Sequence, residues 1–120
     1  MTNDELKIRT KHFSLAVLNL IEQMPNSMST RVVINQIAKS ATSVGANYRA
    51  VCRARSDKEF VAKLNIVLEE ADESQFWLEI IKEKNWLNSS ELEFLLKESN
   101  ELVAIFVSTL KTVNNRINKN

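Results

Sequence analysis

Very little in this sequence can turn a chain. Gly45 and Pro25 are the only glycine and proline among 120 residues. A fold of many short strands needs such residues at its turns, so their scarcity argues for a few long helices. Cysteine is equally scarce, and Cys52 alone excludes an internal disulfide. His12 is the only histidine. A ferritin-like di-metal site needs two Glu-x-x-His elements, so that class is excluded. One glycine makes no phosphate-cradling nest. No Ser/His/Asp or Cys/His arrangement is legible, which points to a non-enzymatic protein without cofactor or metal. No apolar run approaches the roughly 20 residues of a membrane span. The first residues, Met1-Thr-Asn-Asp-Glu5, are acidic and lack the apolar core of a secretion signal. A cytoplasmic protein with no membrane partner is therefore expected.

What is present suits one domain with one core: 44% hydrophobic residues, 26% charged residues and a net charge of +1. Four amphipathic segments follow one another. Phe13, Ala16, Val17, Leu20, Ile21 and Met24 recur at helical spacing, with Thr2-x-x-Glu5 as a cap and Pro25 as the stop. The second segment shows Val33, Ile34, Ile37, Ala38, Ala41, Val44, Gly45 and Tyr48 on one face, capped by Ser27 or Ser29. Ala41 and Gly45 lie four apart, so a neighbouring backbone can approach closely there. Gly45 costs about 1 kcal/mol relative to Ala inside a helix, and tight packing is the simplest reason for it.

Ser56-Asp-Lys-Glu59 reads as a capping box. Behind it Phe60, Leu64, Val67, Leu68, Ala71, Ser74, Leu78 and Ile81 form a bundle seam. Asn88-x-x-Glu91 or Ser90-x-x-Glu93 opens the last helix. Its seam includes Leu92, Leu95, Leu96, Ser99, Leu102, Val103, Phe106, Leu110 and Val113, and its polar tail from Asn114 is expected to fray. The result is an all-α, antiparallel up-down-up-down four-helix bundle with helices near 3–24, 28–53, 57–84 and 89–115.

The run from Ser43 to Ser56 is the most informative stretch, because a small-residue helix face there runs straight into a basic turn. Residues 31–63 hold seven bases against two acids, a net of +5. Residues 69–101 hold three bases against ten acids, a net of −7. The topology gathers the second connection and both termini at one end, where ten bases from Lys7 to Lys119 face four acids. Arg49, Arg53, Arg55 and Lys58 are the candidate phosphate-binding residues there. Tyr48 is the only nearby aromatic able to stack on a base. The same charges also suit a solvated helix end, where arginine complements the macrodipole. Head-to-tail pairing of basic and acidic surfaces between subunits is a third reading.

Three further features have competing readings. Arg49, Arg53 and Arg55 could lower the thiol pKa of Cys52, although an ordinary helix-end cysteine is favoured. Glu69, Glu70, Asp72 and Glu73 crowd one helical turn, where a solvated acidic face is favoured over a metal cluster. Phe76 and Trp77 flank the Ser74–Leu78 seam on opposite sides, so at least one edges toward the surface. They either widen the core or mark an oligomer interface.

Three stretches together resemble a known family. They are Ile37-Ala-Lys-Ser-Ala-Thr-Ser-Val-Gly-Ala-Asn47, Ser56-Asp-Lys-Glu-Phe60 and Ala71-Asp-Glu-Ser-Gln-Phe-Trp-Leu-Glu79. The family is that of the bacterial four-helix-bundle proteins encoded by intervening sequences within 23S ribosomal RNA genes, also labelled a ribosomal-protein family. One departure follows Asn47, where an Ala-Glu-Gly-like run in many members becomes Tyr48-Arg-Ala-Val-Cys52. Any role of that glutamate is therefore not carried over. The resemblance implies a homopentameric ring. A relative that accompanies the reverse transcriptase of diversity-generating retroelements resembles a basic pentamer contacting nucleic acid. The leading expectation is an accessory protein that contacts RNA or DNA through its basic end. The alternative is a scaffold that binds a partner protein only.

Overall fold

A computed structural model of the chain describes residues 1–119. Four helices run up, down, up and down: α1 (Asn3–Ile21), α2 (Met28–Val51), α3 (Asp57–Glu83) and α4 (Ser90–Asn118). Each helix packs along its sequence neighbour, and α1 also closes against α4, though least intimately. The molecule measures 53 × 23 × 20 Å.

Local chemistry sets the helix ends. Thr2, Ser27 and Ser56 each accept a hydrogen bond from the backbone N–H three residues on. Such side chains satisfy donors that a helix start leaves open. At Ser27 the bond is reciprocated by Thr30, completing a capping box. At Ser56 only the serine half forms. The fourth cap is Ser89, in place of the expected Asn88 or Ser90.

The first three helices stop one to three residues short of their expected ends. After α1 and α2 the chain tightens into i→i+3 bonds, such as Met24 N–H to Ile21 O and Arg53 N–H to Ala50 O. Helix α3 ends in a Schellman motif. Asn85 takes a left-handed φ of 57°, Asn85 N–H bonds to Lys82 O, and Trp86 N–H bonds to Ile81 O.

Helix α4 runs through Asn118, so the tail from Asn114 does not fray as expected. Val113 is buried against the bundle. One turn further on, Arg116 grips Asp57 at the start of α3 through two 2.9 Å hydrogen bonds.

The core follows the four seams, with Val17, Ile37, Val67, Leu78, Leu102 and Phe106 fully buried. Leu68 and Val103 were expected inside with them but are only half-buried. They stand at the margins of the α3 and α4 stripes, where the apolar face meets solvent. Buried serines and threonines are satisfied locally: Ser74 Oγ donates to Glu70 O at 2.8 Å and lies 2.9 Å from Ser40 Oγ.

The expected close approach at Ala41 and Gly45 is present. Ser14 Oγ donates to Ala41 O at 2.6 Å. A Cβ on Gly45 would stand 2.7 Å from Ser14 Oγ and 3.2 Å from Thr10 O. Helix α1 is therefore seated directly on the α2 backbone.

Candidate functional site

The close α1–α2–α3 packing decides which bases stand free. Arg49 projects from the last turn of α2, and Arg53 and Arg55 follow in the connection. All three are exposed. With Lys63 and Glu59 from α3, they line a cleft of about 440 Å3 whose floor is Ala46 and Ala50. Arg49 also lines a second cleft of about 460 Å3 with Asp4, Lys7, Ile8 and Lys11. The two clefts thus share Arg49 and form one strip across three helices. Six bases and two acids line it, a net of +4.

Lys63 was missed in the sequence, where its place behind the capping box hid it. The antiparallel return of α3 along α2 brings it level with the end of α2. Its contact with Glu59 is a loose 3.9 Å, worth little at an exposed site. Lys58 was expected among these residues but lines neither cleft. It stands exposed on another face of the first turn of α3.

Two other arginines, Arg9 and Arg116, are already engaged. Arg9 donates to both Glu98 oxygens at 2.7 and 2.6 Å and to Glu101 at 2.9 Å, tying α1 to α4. Arg116 is held by Asp57, which keeps the Asp57 carboxyl below its usual range. Among the described residues, Arg49, Arg53 and Arg55 form no salt bridge. The arginines of this end that lack a carboxylate partner therefore gather at the end of α2 and the connection after it.

Tyr48 is not available to stack on a base. It is 1% exposed, its ring stacks on Phe106 with centroids 6.0 Å apart, and its hydroxyl lies 3.2 Å from Asn3 Oδ1. Burial pushes its pKa well up. Burial also pushes the Cys52 thiol up, with Lys7 opposing. The three arginines do not activate that thiol, and the helix-end reading of Cys52 stands. Glu69, Asp72 and Glu73 face solvent. Glu70 is half-buried, and desolvation followed by Glu73 and Glu69 raises its pKa. Among the described residues no three His, Cys, Asp or Glu side chains converge as a metal site requires. No described helix is long and apolar enough to cross a membrane.

Phe76 is 52% exposed and Trp77 is half-buried beside it, edge to face at 4.9 Å. One of the pair does edge outward, as their spacing requires.

The family model for 23S rRNA-intervening sequence proteins matches residues 4–108. The chain belongs to that family. A protein of unknown function from the S23 ribosomal protein family of Bacteroides thetaiotaomicron, solved at 1.70 Å, shares 32% identity and superposes with a TM-score of 0.79. The match covers 88% of this chain and 98% of that one. No curated protein matches this sequence. Every residue of the basic strip lies within the segment that carries the 23S rRNA-intervening sequence pattern. Arg116, which pins the end of α4, lies beyond it.

Proposed function

We propose that this protein is a cytoplasmic, non-enzymatic, self-assembling helical bundle that contacts the phosphates of RNA or DNA. The contact runs along Lys7, Lys11, Arg49, Arg53, Arg55 and Lys63. One observation carries this reading: three arginines without salt bridges rise over an alanine floor, in two clefts joined at Arg49. Carboxylates hold Arg9 and Arg116, whereas here the guanidinium donors remain free for a polyanion.

Binding of this kind is mainly electrostatic, and its logarithmic salt slope grows by about 0.9 per duplex phosphate neutralised. With Tyr48 buried, no aromatic stands on the strip to read bases, so discrimination between sequences should be weak. Self-assembly would repeat the strip in each subunit and add weak contacts by avidity.

Fluorescence anisotropy with single-stranded and duplex RNA and DNA tests the reading. Charge reversal at Arg53 and Lys63 should weaken binding to all sequences alike and flatten the salt slope. Reversal at Lys58, outside both clefts, should do much less. If the unmodified protein fails to bind any of the four probes at low salt, the nucleic-acid reading is wrong. The bundle is then better understood as a protein-only scaffold.

A further inference from the structure

The basic strip does not lie on one face of the molecule. Helix α2 packs against α1 and α3, and α4 packs against α3 and α1. Among the described residues no close backbone approach joins the pairs α1–α3 and α2–α4. The bundle is therefore four-cornered in section. Helix α2 stands at the corner where the α1–α2 face meets the α2–α3 face.

Each cleft lies on one of those two faces. On the α1–α2 face, Lys7 and Lys11 stand with Arg49 and Asp4, three bases against one acid and a net of +2. On the α2–α3 face, Arg49, Arg53, Arg55 and Lys63 stand with Glu59, four bases against one acid and a net of +3. Arg49 belongs to both, so it sits on the edge between the faces.

A phosphate backbone that fills both clefts must turn this corner. It has roughly the 8–10 Å between packed helices in which to do so. That is about three base-pair steps of 3.4 Å, against a duplex persistence length of about 150 base pairs. A duplex therefore rests on one face and leaves the bases of the other to solvent. Insertion of α2 into a duplex groove is also disfavoured. Groove-reading helices lead with their N-terminal residues, whereas the strip sits at the C-terminal, negative end of the α2 dipole. A single strand has no paired partner to keep it straight and can follow the corner.

We infer that the strip is built for single-stranded nucleic acid, whose backbone runs from Lys7 and Lys11 over Arg49 to Arg53, Arg55 and Lys63. This inference rests on the nucleic-acid reading above and narrows it. A single strand meets six bases, and a duplex at most the four of the α2–α3 face. Charge alone would rank the two the other way. A duplex carries one charge per about 1.7 Å of its axis and releases more counterions per phosphate than a single strand, so a flat basic surface favours it. A preference for single strands thus reports the shape of the strip.

Fluorescence anisotropy at low salt tests this with oligo-uridine, oligo-thymidine, and duplex RNA and DNA of the same length. Both single strands should bind several-fold tighter than either duplex. Their logarithmic salt slope should approach about 4, at about 0.7 for each of six phosphates. Two double variants then probe the two faces: Lys7→Glu with Lys11→Glu, and Arg53→Glu with Arg55→Glu. All four positions are exposed, so the fold should survive, as helical circular dichroism would verify. Each double variant should weaken single-strand binding and lower the slope by about 1.4, the share of two phosphates. The duplexes should respond far more to the Arg53 and Arg55 pair than to the Lys7 and Lys11 pair.

Duplexes that bind as tightly as single strands overturn the inference and leave the nucleic-acid reading standing. So do duplexes weakened equally by both double variants, because they would then span the corner. Single strands indifferent to the Lys7 and Lys11 pair overturn it too, since the strand would keep to one face. If none of the four probes binds, the nucleic-acid reading itself fails.

Discussion

Replacing Gly45 with alanine sets two opposing effects against each other. Gly45 lies inside α2 with an ordinary helical backbone. On helix propensity alone, alanine would stabilise it by about 1 kcal/mol. The surroundings argue the other way. The new methyl would stand 2.7 Å from Ser14 Oγ, 3.2 Å from Thr10 O and 3.3 Å from Lys11 Cα. The serine can rotate, but doing so breaks its 2.6 Å bond to Ala41 O, a loss of about 0.5–1.5 kcal/mol. The other two atoms are backbone, so α1 itself must shift. Overpacking of this kind costs about 1–3 kcal/mol. The net expectation is destabilisation by about 0.5–3.5 kcal/mol once the propensity gain of about 1 kcal/mol is subtracted.

Urea unfolding followed by circular dichroism, at fixed protein concentration, measures this directly. The same substitution in a Ser14→Ala background should cost less, because the nearest atom is gone while the backbone contacts remain. The non-additivity would locate the strain between these two residues. If Gly45→Ala instead stabilises by the full propensity increment, α1 does not press on α2 here, and the account of the glycine is wrong.

Two further outcomes follow from burial. Leu102→Ala should cost about 2–5 kcal/mol, because the side chain is fully enclosed. Leu68→Ala should cost clearly less in the same denaturation assay, its side chain being half-buried. Tyr48 is the only tyrosine, so its ionisation can be followed by ultraviolet absorbance. Its folded pKa is raised by burial above the ordinary tyrosine value of 10.0. The neutral form is favoured in the native state, so this contribution to stability is complete below the unfolded pKa. It erodes as the pH rises from there toward the folded value. Phenolate should appear only with unfolding, and a normal titration near pH 10 would show that the ring is accessible.

The helices were readable because their signals are local. Serine caps act within four residues, and the 3–4 spacing of Leu64, Val67, Ala71, Ser74 and Leu78 can arise from no other regular structure. Gly45 was readable because an unfavourable residue in a helix interior needs a compensating contact. What escaped depends on neighbours. Periodicity shows that a residue is on an apolar stripe but not where the stripe ends, so Leu68 and Val103 were placed too deep. The tail of α4 looked too polar to hold, yet Arg116 finds Asp57 59 residues away. Tyr48 looked like part of the basic run, and only the approach of Asn3 and Phe106 reveals that it is closed off.

The same limit applies to the candidate site, because summed charge does not say which charges are free. Arg9 and Arg116 counted as fully in the sequence as Arg49 and Arg53, but carboxylates hold the first two. The composition of α2 explains the difference. Its small residues serve two faces. Ala41 and Gly45 let α1 press against the backbone, which fixes Lys7 and Lys11 beside Arg49. Ala46 and Ala50 leave the adjoining surface low, so Arg49, Arg53 and Lys63 stand around a concavity. With no acidic residue anywhere in α2, Arg49 has no partner on its own helix and Arg53 none on the helix it follows. A helix rich in alanine, bordered by arginine and free of carboxylates thus performs two tasks: it seats the bundle closely on one side and keeps a cationic cleft open on the other. Larger residues at Ala46 and Ala50 would leave the fold intact and fill the cleft, so the structural and functional roles of this helix are separable by position.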